Sequence, residues 1–190
     1  NNTDAILNGH AGGANVDLTV TALDADSIDS TTTITGGTGT DTITITNYSS
    51  GGTATLTNAT SIDVLNIIDS ANGADVVVTA GTNGTGNNPM TVNATTLDAG
   101  ETLDFDGNNS TGSLTINSGA GADSLDGGTV NDIIDGGAGI DRIDGQENSA
   151  TYGADNISGG DGNDIITVST AETEFSNSST TALVTDTVDG

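Results

Sequence analysis

Three nine-residue segments abut from residue 118 to 144: SGAGADSLD, GGTVNDIID and GGAGIDRID. Each follows, wholly or in part, the pattern Gly-Gly-x-Gly-x-Asp-x-U-x, where U is large and apolar. The pattern resumes after an insertion as YGADNIS and GGDGNDIIT, over residues 152–167. It also stands alone as GGTGTDTIT (36–44) and, degraded, as SANGADVVV (70–78). Ile116, Leu125, Ile134 and Ile143 are nine apart, and Ile157 and Ile166 resume that spacing after a jump of fourteen. The matching acidic series is Asp123, Asp132, Asp141, Asp155 and Asp164. A fixed short period of this kind is the signature of stacked repeats, and insertions in such stacks are tolerated at turns. The extra five residues fall within GQENSATY (145–152), which reads as a loop bulging from one turn.

Outside these segments, β-branched residues alternate with Thr, Asp or Asn, as in TTTIT (31–35), DTITIT (41–46), DVVVT (75–79), MTVN (90–93) and GSLTI (112–116). Alternation of period two reads as half-buried strands. Gly, Asn, Ser and Asp clusters punctuate the strands about every ten residues, as turns do. No stretch has a convincing helical period with a cap. Residues 1–117 repeat loosely as strand, turn, strand, Gly-rich turn, strand, which fits wider coils of one stacked structure. An antiparallel β-sandwich is the alternative for that half.

Charge narrows the chemistry. Lys+Arg is 1 against Asp+Glu 27, a formal net charge of −26. Such a chain repels itself when compact. Nucleic acid and anionic membrane surfaces are excluded as partners, because both need a basic patch, and no apolar run is long enough to insert in a membrane. Hydrophobic content of 32% with 2% aromatic residues is thin for a globular core. Low aromatic content with high charge ordinarily reads as disorder, but the regular placement of the apolar residues argues against it. A hard divalent cation is the obvious counter-charge. Each part of the nonapeptide suits that need. Its glycines permit a tight turn with positive φ, the turn aims backbone carbonyls inward, and the Asp adds carboxylate oxygens. Calcium takes six to eight such oxygens in flexible geometry.

The nonapeptide resembles the RTX calcium-binding repeat, a motif known for the parallel β-roll. The resemblance is tight over 118–167, where three copies abut and the apolar eighth position is kept. It implies an all-β, right-handed parallel β-solenoid, irregular over 1–117, an RTX-like calcium β-roll over 118–167, and a terminal strand segment over 168–190. It also implies several Ca2+ ions held by Asp123, Asp132, Asp141, Asp155 and Asp164, with Asp161 and Asn163 of GGDGND as further side-chain ligands. Backbone carbonyls near Gly119, Gly121, Gly127, Gly136, Gly139, Gly159 and Gly162 would complete the shells. Asp41, with the carbonyls near Gly36, and Asp75 would join only if the wider coils stack them. In rolls of this kind two nonapeptides make one coil, so Asp123 would pair with Asp141 and Asp141 with Asp164 on one edge, and Asp132 with Asp155 on the other. Val130 stands where the turn's third Gly belongs and Ser118 where its first does, so those two turns are expected to bind more weakly.

Catalytic machinery is nearly absent. His10 is the only histidine, so neither a two-histidine zinc site nor a well-placed triad can be built. Tyr48, Tyr152, Phe105 and Phe175 are too few for sugar platforms, and Arg142 reads as a local ion-pair partner. The chain is not expected to be an enzyme. Its composition resembles calcium-dependent surface-layer proteins, extracellular filaments and RTX adhesins of bacteria. That implies an extracellular structural protein that self-assembles into a lattice or fibre, exported by a type I system, with a cell-surface polysaccharide as a further partner. The alternatives are an adhesin segment that recognises glycan, cell or ice, and the accessory domain of a secreted enzyme. The opening NNTDAILNGH has no signal-peptide character, so the chain is expected to be part of a larger protein or to leave the cell without such a signal. Ile133 and Ile165, at outward seventh positions, form a candidate contact stripe for assembly.

Overall fold

A computed structural model describes residues 6–8, 17, 19–22, 26, 28–46, 52–69, 75–81, 89–145, 155–168 and 182–184. His10, Tyr48, Tyr152, Phe175, most of the 145–152 insertion and most of the 168–190 tail lie outside them. Two seven-stranded sheets run the length of the described chain. One stacks Gly52–Thr55, Val76–Thr79, Leu103–Asp106, Ser124–Asp126, Arg142–Asp144 and Ile165–Val168 in parallel, and Ala182–Val184 joins the last strand antiparallel. The other stacks Thr19–Ala22, Thr42–Ile45, Val64–Ile67, Met90–Asn93, Leu114–Asn117, Ile133–Asp135 and Asn156–Ser158, all parallel. Between Thr42 and Val168 the strands of these two sheets alternate along the chain, so the path is a parallel β-solenoid. Parallel pairing upstream of residue 117 excludes the antiparallel sandwich.

Side-chain alternation makes the core. In the first sheet Ala54, Val78, Phe105, Leu125, Ile143 and Ile166 align in register and are all buried. In the second, Ile43, Leu65, Val92, Ile116, Ile134 and Ile157 align, with Val20 before them. These columns belong to one continuous apolar cluster. Each rung therefore contributes a few β-branched or Leu side chains to a narrow core, and strand stacking supplies the continuity that a single rung lacks.

Rung length changes along the axis. The chain advances 27 residues from Leu65 to Val92, 24 from there to Ile116, and 18 from Ile116 to Ile134. Eighteen is two nonapeptides. The coils before Val64 carry a third parallel sheet, Ile6–Asn8, Thr33–Thr35 and Ala59–Thr60, whose Ile34 and Ala59 are buried in the same cluster. Among the described residues this wall has no counterpart beyond residue 60. The chain thus narrows from three walls to two upstream of the 27-residue rung, and its rungs shorten to two nonapeptides where the glycine-rich repeats begin.

The outward positions differ between the sheets. Ile133 faces out of the second sheet and Ile165 out of the first. The expected stripe joining them does not form, because successive nonapeptides supply opposite walls. Arg142 is likewise exposed on the outer face of the first sheet.

Candidate metal centre

The acidic residues of the repeat sit one position before each strand, on the inward-facing column. In the two rungs just upstream that column is apolar. Val76 aligns with Leu103, and the Leu103 N–H donates to Asp123 Oδ1 at 2.7 Å. The Asp123 N–H then donates to Asp141 Oδ1 at 2.8 Å, and the Asp141 N–H to Asp164 Oδ1 at 2.9 Å. On the other edge Met90 aligns with Leu114. The Leu114 N–H donates to Asp132 Oδ1 at 2.7 Å, and the Asp132 N–H to Asp155 Oδ1 at 2.9 Å. A buried row of Val, Leu and Met thus becomes a row of buried carboxylates where the short rungs begin. The structure stacks Asp123 with Asp141 and Asp164, and Asp132 with Asp155.

Each carboxylate has one oxygen on its neighbour's backbone. The fate of the second oxygen separates the turns. Asp141 Oδ2 and Asp164 Oδ2 are buried and have no hydrogen-bond partner, and both residues are 1% exposed. Asp123 Oδ2 accepts the Ser118 hydroxyl. Asp132 Oδ2 accepts the Gly128 N–H at 2.6 Å, and in the isolated upstream turn Asp41 Oδ2 accepts the Gly37 N–H at 2.6 Å.

Backbone geometry follows the same division. In the turns 136–141 and 159–164, Gly137 and Gly160 have φ of 88° and 89°, and Gly139 and Gly162 have 140° and 143°. Glycine alone adopts the latter region readily. The stacked turns also approach closely. A Cβ on Gly137 or Gly139 would meet the Gly119 or Gly121 carbonyl oxygen, and one on Gly160 or Gly162 would meet that of Gly137 or Gly139. A Cβ on Gly136 would lie 2.6 Å from Asp141 Oδ2, and one on Gly159 would also crowd Asp164 Oδ2. Small residues therefore leave open a space lined by carbonyl and carboxylate oxygens. Ala138–Gly139 and Asp161–Gly162 pair as a short parallel ladder along this edge.

Burial raises the Asp141 carboxyl to about 6, with the negative charges of Asp123, Asp164 and Asp135 adding to the effect and the hydrogen bond from the Asp123 backbone opposing it. Burial also raises Asp123 and Asp132, against the hydrogen bonds each accepts. A buried anionic oxygen without a partner is costly, and a cation at this spot removes the cost. Among the described residues no three acidic or histidine side chains are grouped so that they could together hold one metal ion. Carbonyls must therefore supply most of any shell, which suits a hard cation such as calcium and not zinc.

The remaining candidates are scattered. Asp161 and Asn163 belong to the 159–164 turn but are exposed. Gly119, Gly121 and Gly127 line the stacked turns, Gly127 with a Cβ position 2.9 Å from Asp132 Oδ2. Asp75 is exposed and accepts the Thr102 N–H on Oδ1 at 3.1 Å, outside the inward column. Asp41, next to Gly36, is buried and donates its N–H to Asp63 Oδ2 at 2.7 Å. Met90 and Leu114 separate this pair from Asp132 on the same edge. Asp63 was not singled out in the sequence because SIDVL lacks glycines, although it shares the Asp-x-U step with Asp41 and Asp132. Glu101 and Ser118 were also missed. Glu101 is buried beneath Gly121, with Oε2 accepting the Asp98 N–H at 2.8 Å.

Comparison with curated proteins and with solved structures returns no match. A protein-family model does match: residues 115–143 and 149–169 align with the RTX calcium-binding nonapeptide repeat, in four copies. The matched residues contain both turns with an unpartnered buried carboxylate oxygen. Over these segments the chain carries the RTX calcium-binding nonapeptide repeat, set on a parallel β-solenoid.

Proposed function

We propose that the chain is a calcium-dependent structural segment of the bacterial cell surface, exported by a type I system and assembling with copies of itself into a surface layer or extracellular filament. The observation that carries this reading is the pair of open ladder ends. Among the described residues, Thr19–Ala22 and Asn156–Ser158 terminate the second sheet at its two ends, whereas the Gly52–Thr55 edge of the first is closed by Asp26 Oδ1 and the Ile28 carbonyl, which accept the Thr53 and Thr55 N–H groups. Ala182–Val184 covers the remaining end. An open strand edge presents unpaired N–H and C=O groups that favour pairing with a further strand, and stacked-repeat proteins extend by adding rungs. A charge of −26 keeps copies apart until a divalent ion lowers it. Negative-stain microscopy with chelator and with millimolar calcium tests the reading. Ordered arrays or fibres in calcium are expected, and a monomer at millimolar calcium overturns it.

A second reading, an adhesin segment, is favoured by the outer face of the second sheet. Its outward residues run Thr42 and Thr44, Val64 and Asn66, Thr91 and Asn93, Thr115 and Asn117 in register. The Asn93 amide donates to Asn66 Oδ1 at 3.0 Å, and the Asn117 amide to Asn93 Oδ1 at 3.1 Å. Such a fixed row of hydroxyls and amides at the strand spacing of about 4.8 Å suits a repetitive polar ligand such as a polysaccharide. Glycan-array binding by a monomer in calcium would favour it over self-assembly.

A further inference from the structure

The repeats share one sequence pattern, but their Asp side chains do not share one state. We propose that the turn 127–132 is an ion-free latch, in which the Gly128 N–H holds the place that calcium takes beside Asp141 and Asp164. Both oxygens of Asp132 are engaged by backbone donors: Oδ1 by Leu114 N–H at 2.7 Å and Oδ2 by Gly128 N–H at 2.6 Å. Asp141 and Asp164 each give Oδ1 to one N–H and keep Oδ2 buried without a partner.

Local sequence explains the difference. Gly139 and Gly162 reach φ of 140° and 143° at the fourth position of their turns. Val130 holds that position in the latched turn, and a β-branched residue cannot follow that route. Among the described residues no non-glycine except Ser61 has positive φ, and Gly127 and Gly128 do not have it either. The chain between Gly127 and Asp132 therefore folds inward and closes on its own carboxylate. The turn 36–41 closes the same way through Gly37 although Gly39 stands at its fourth position. Closure is thus a second stable geometry of this motif, which Val130 enforces and glycine merely permits. Asp123 is intermediate, since the Ser118 hydroxyl on its Oδ2 is itself an oxygen that a cation can recruit.

The consequence is functional asymmetry. Calcium loads the edge that carries Asp141 and Asp164, whereas Asp132 holds its turn by hydrogen bonds alone. This rests on the calcium chemistry of the repeats and not on assembly. Titration calorimetry on the full chain, comparing wild type with Asp132→Asn, Asp141→Asn and Asp164→Asn, reads it. Asp132→Asn is expected to keep the wild-type number of bound calcium ions, and the other two to lose bound calcium. Loss by Asp132→Asn equal to that of Asp141→Asn overturns the proposal. Should Asp132→Asn fail to fold, nuclear magnetic resonance on calcium-loaded wild type decides. A scalar coupling between the Gly128 amide nitrogen and the Asp132 carboxyl carbon is expected to persist. Its absence, with a calcium-induced carboxyl shift at Asp132 matching that at Asp141, overturns the proposal.

Discussion

At Gly139 a side chain meets two obstacles at once. The backbone runs at φ 140°, and a Cβ would press on the Gly121 carbonyl oxygen of the rung before. Gly139→Ala is expected to cost about 1–3 kcal/mol for the backbone alone, and more as stacked turns part. At Gly100 nothing lies within 4 Å of the added Cβ, so Gly100→Ala should stay within about 0.5 kcal/mol of wild type. Urea unfolding of both variants in saturating calcium checks the contrast. Asp141 sets the response to pH. Its carboxyl is raised from 3.8 to about 6 in the fold, first by burial. The ion-free fold therefore gains from a protonated Asp141 below the ordinary value and loses that contribution as pH rises through about 6. Calcium needs the carboxylate, so its affinity should fall as pH drops through the same range. Chelator-treated protein is expected to keep more β-structure at pH 4 than at pH 7.5, and Asp141→Asn should shrink the difference.

Single rungs of this chain bury little, so each inward column must be filled along its whole length. Among the described residues Phe105 is the largest fully buried side chain, and it sits between Val78 and Leu125. Phe105→Ala should cost about 3–5 kcal/mol, read as a lowered urea midpoint in calcium. The rungs differ in how far the sequence revealed them. Strands such as Ile133–Asp135 and Arg142–Asp144 were legible, because nonapeptide spacing sets both their faces and their partners. The alternation in MTVN and DVVVT showed which residues turn inward, but not which strand lies beside which. That depends on rungs of 27 and 24 residues, which carry no fixed period. The third wall at Thr33–Thr35 was hidden for the same reason. So was the handover from Leu103 to Asp123 within one buried column, since a leucine and an aspartate share no sequence signal. The state of the second carboxylate oxygen was least legible. It depends on backbone routes that Gly39 and Gly139 take differently within near-identical motifs.

Over the whole molecule, 27 acidic residues stand against a single Lys or Arg, and the described rungs wind around a core only a few side chains thick. Like-charge repulsion opposes that winding, and the buried oxygens of Asp141 and Asp164 add their own cost. Each calcium ion brings two positive charges to the place where both problems meet, so its binding energy becomes folding energy. The ion's midpoint is expected on the order of 10⁻⁴–10⁻³ M, the range of extracellular calcium modules. Far-UV circular dichroism at neutral pH, in excess chelator and then across a calcium titration, tests this directly. A largely unstructured spectrum that converts to β on calcium addition is the expected result. A β spectrum that chelator leaves unchanged would contradict the account.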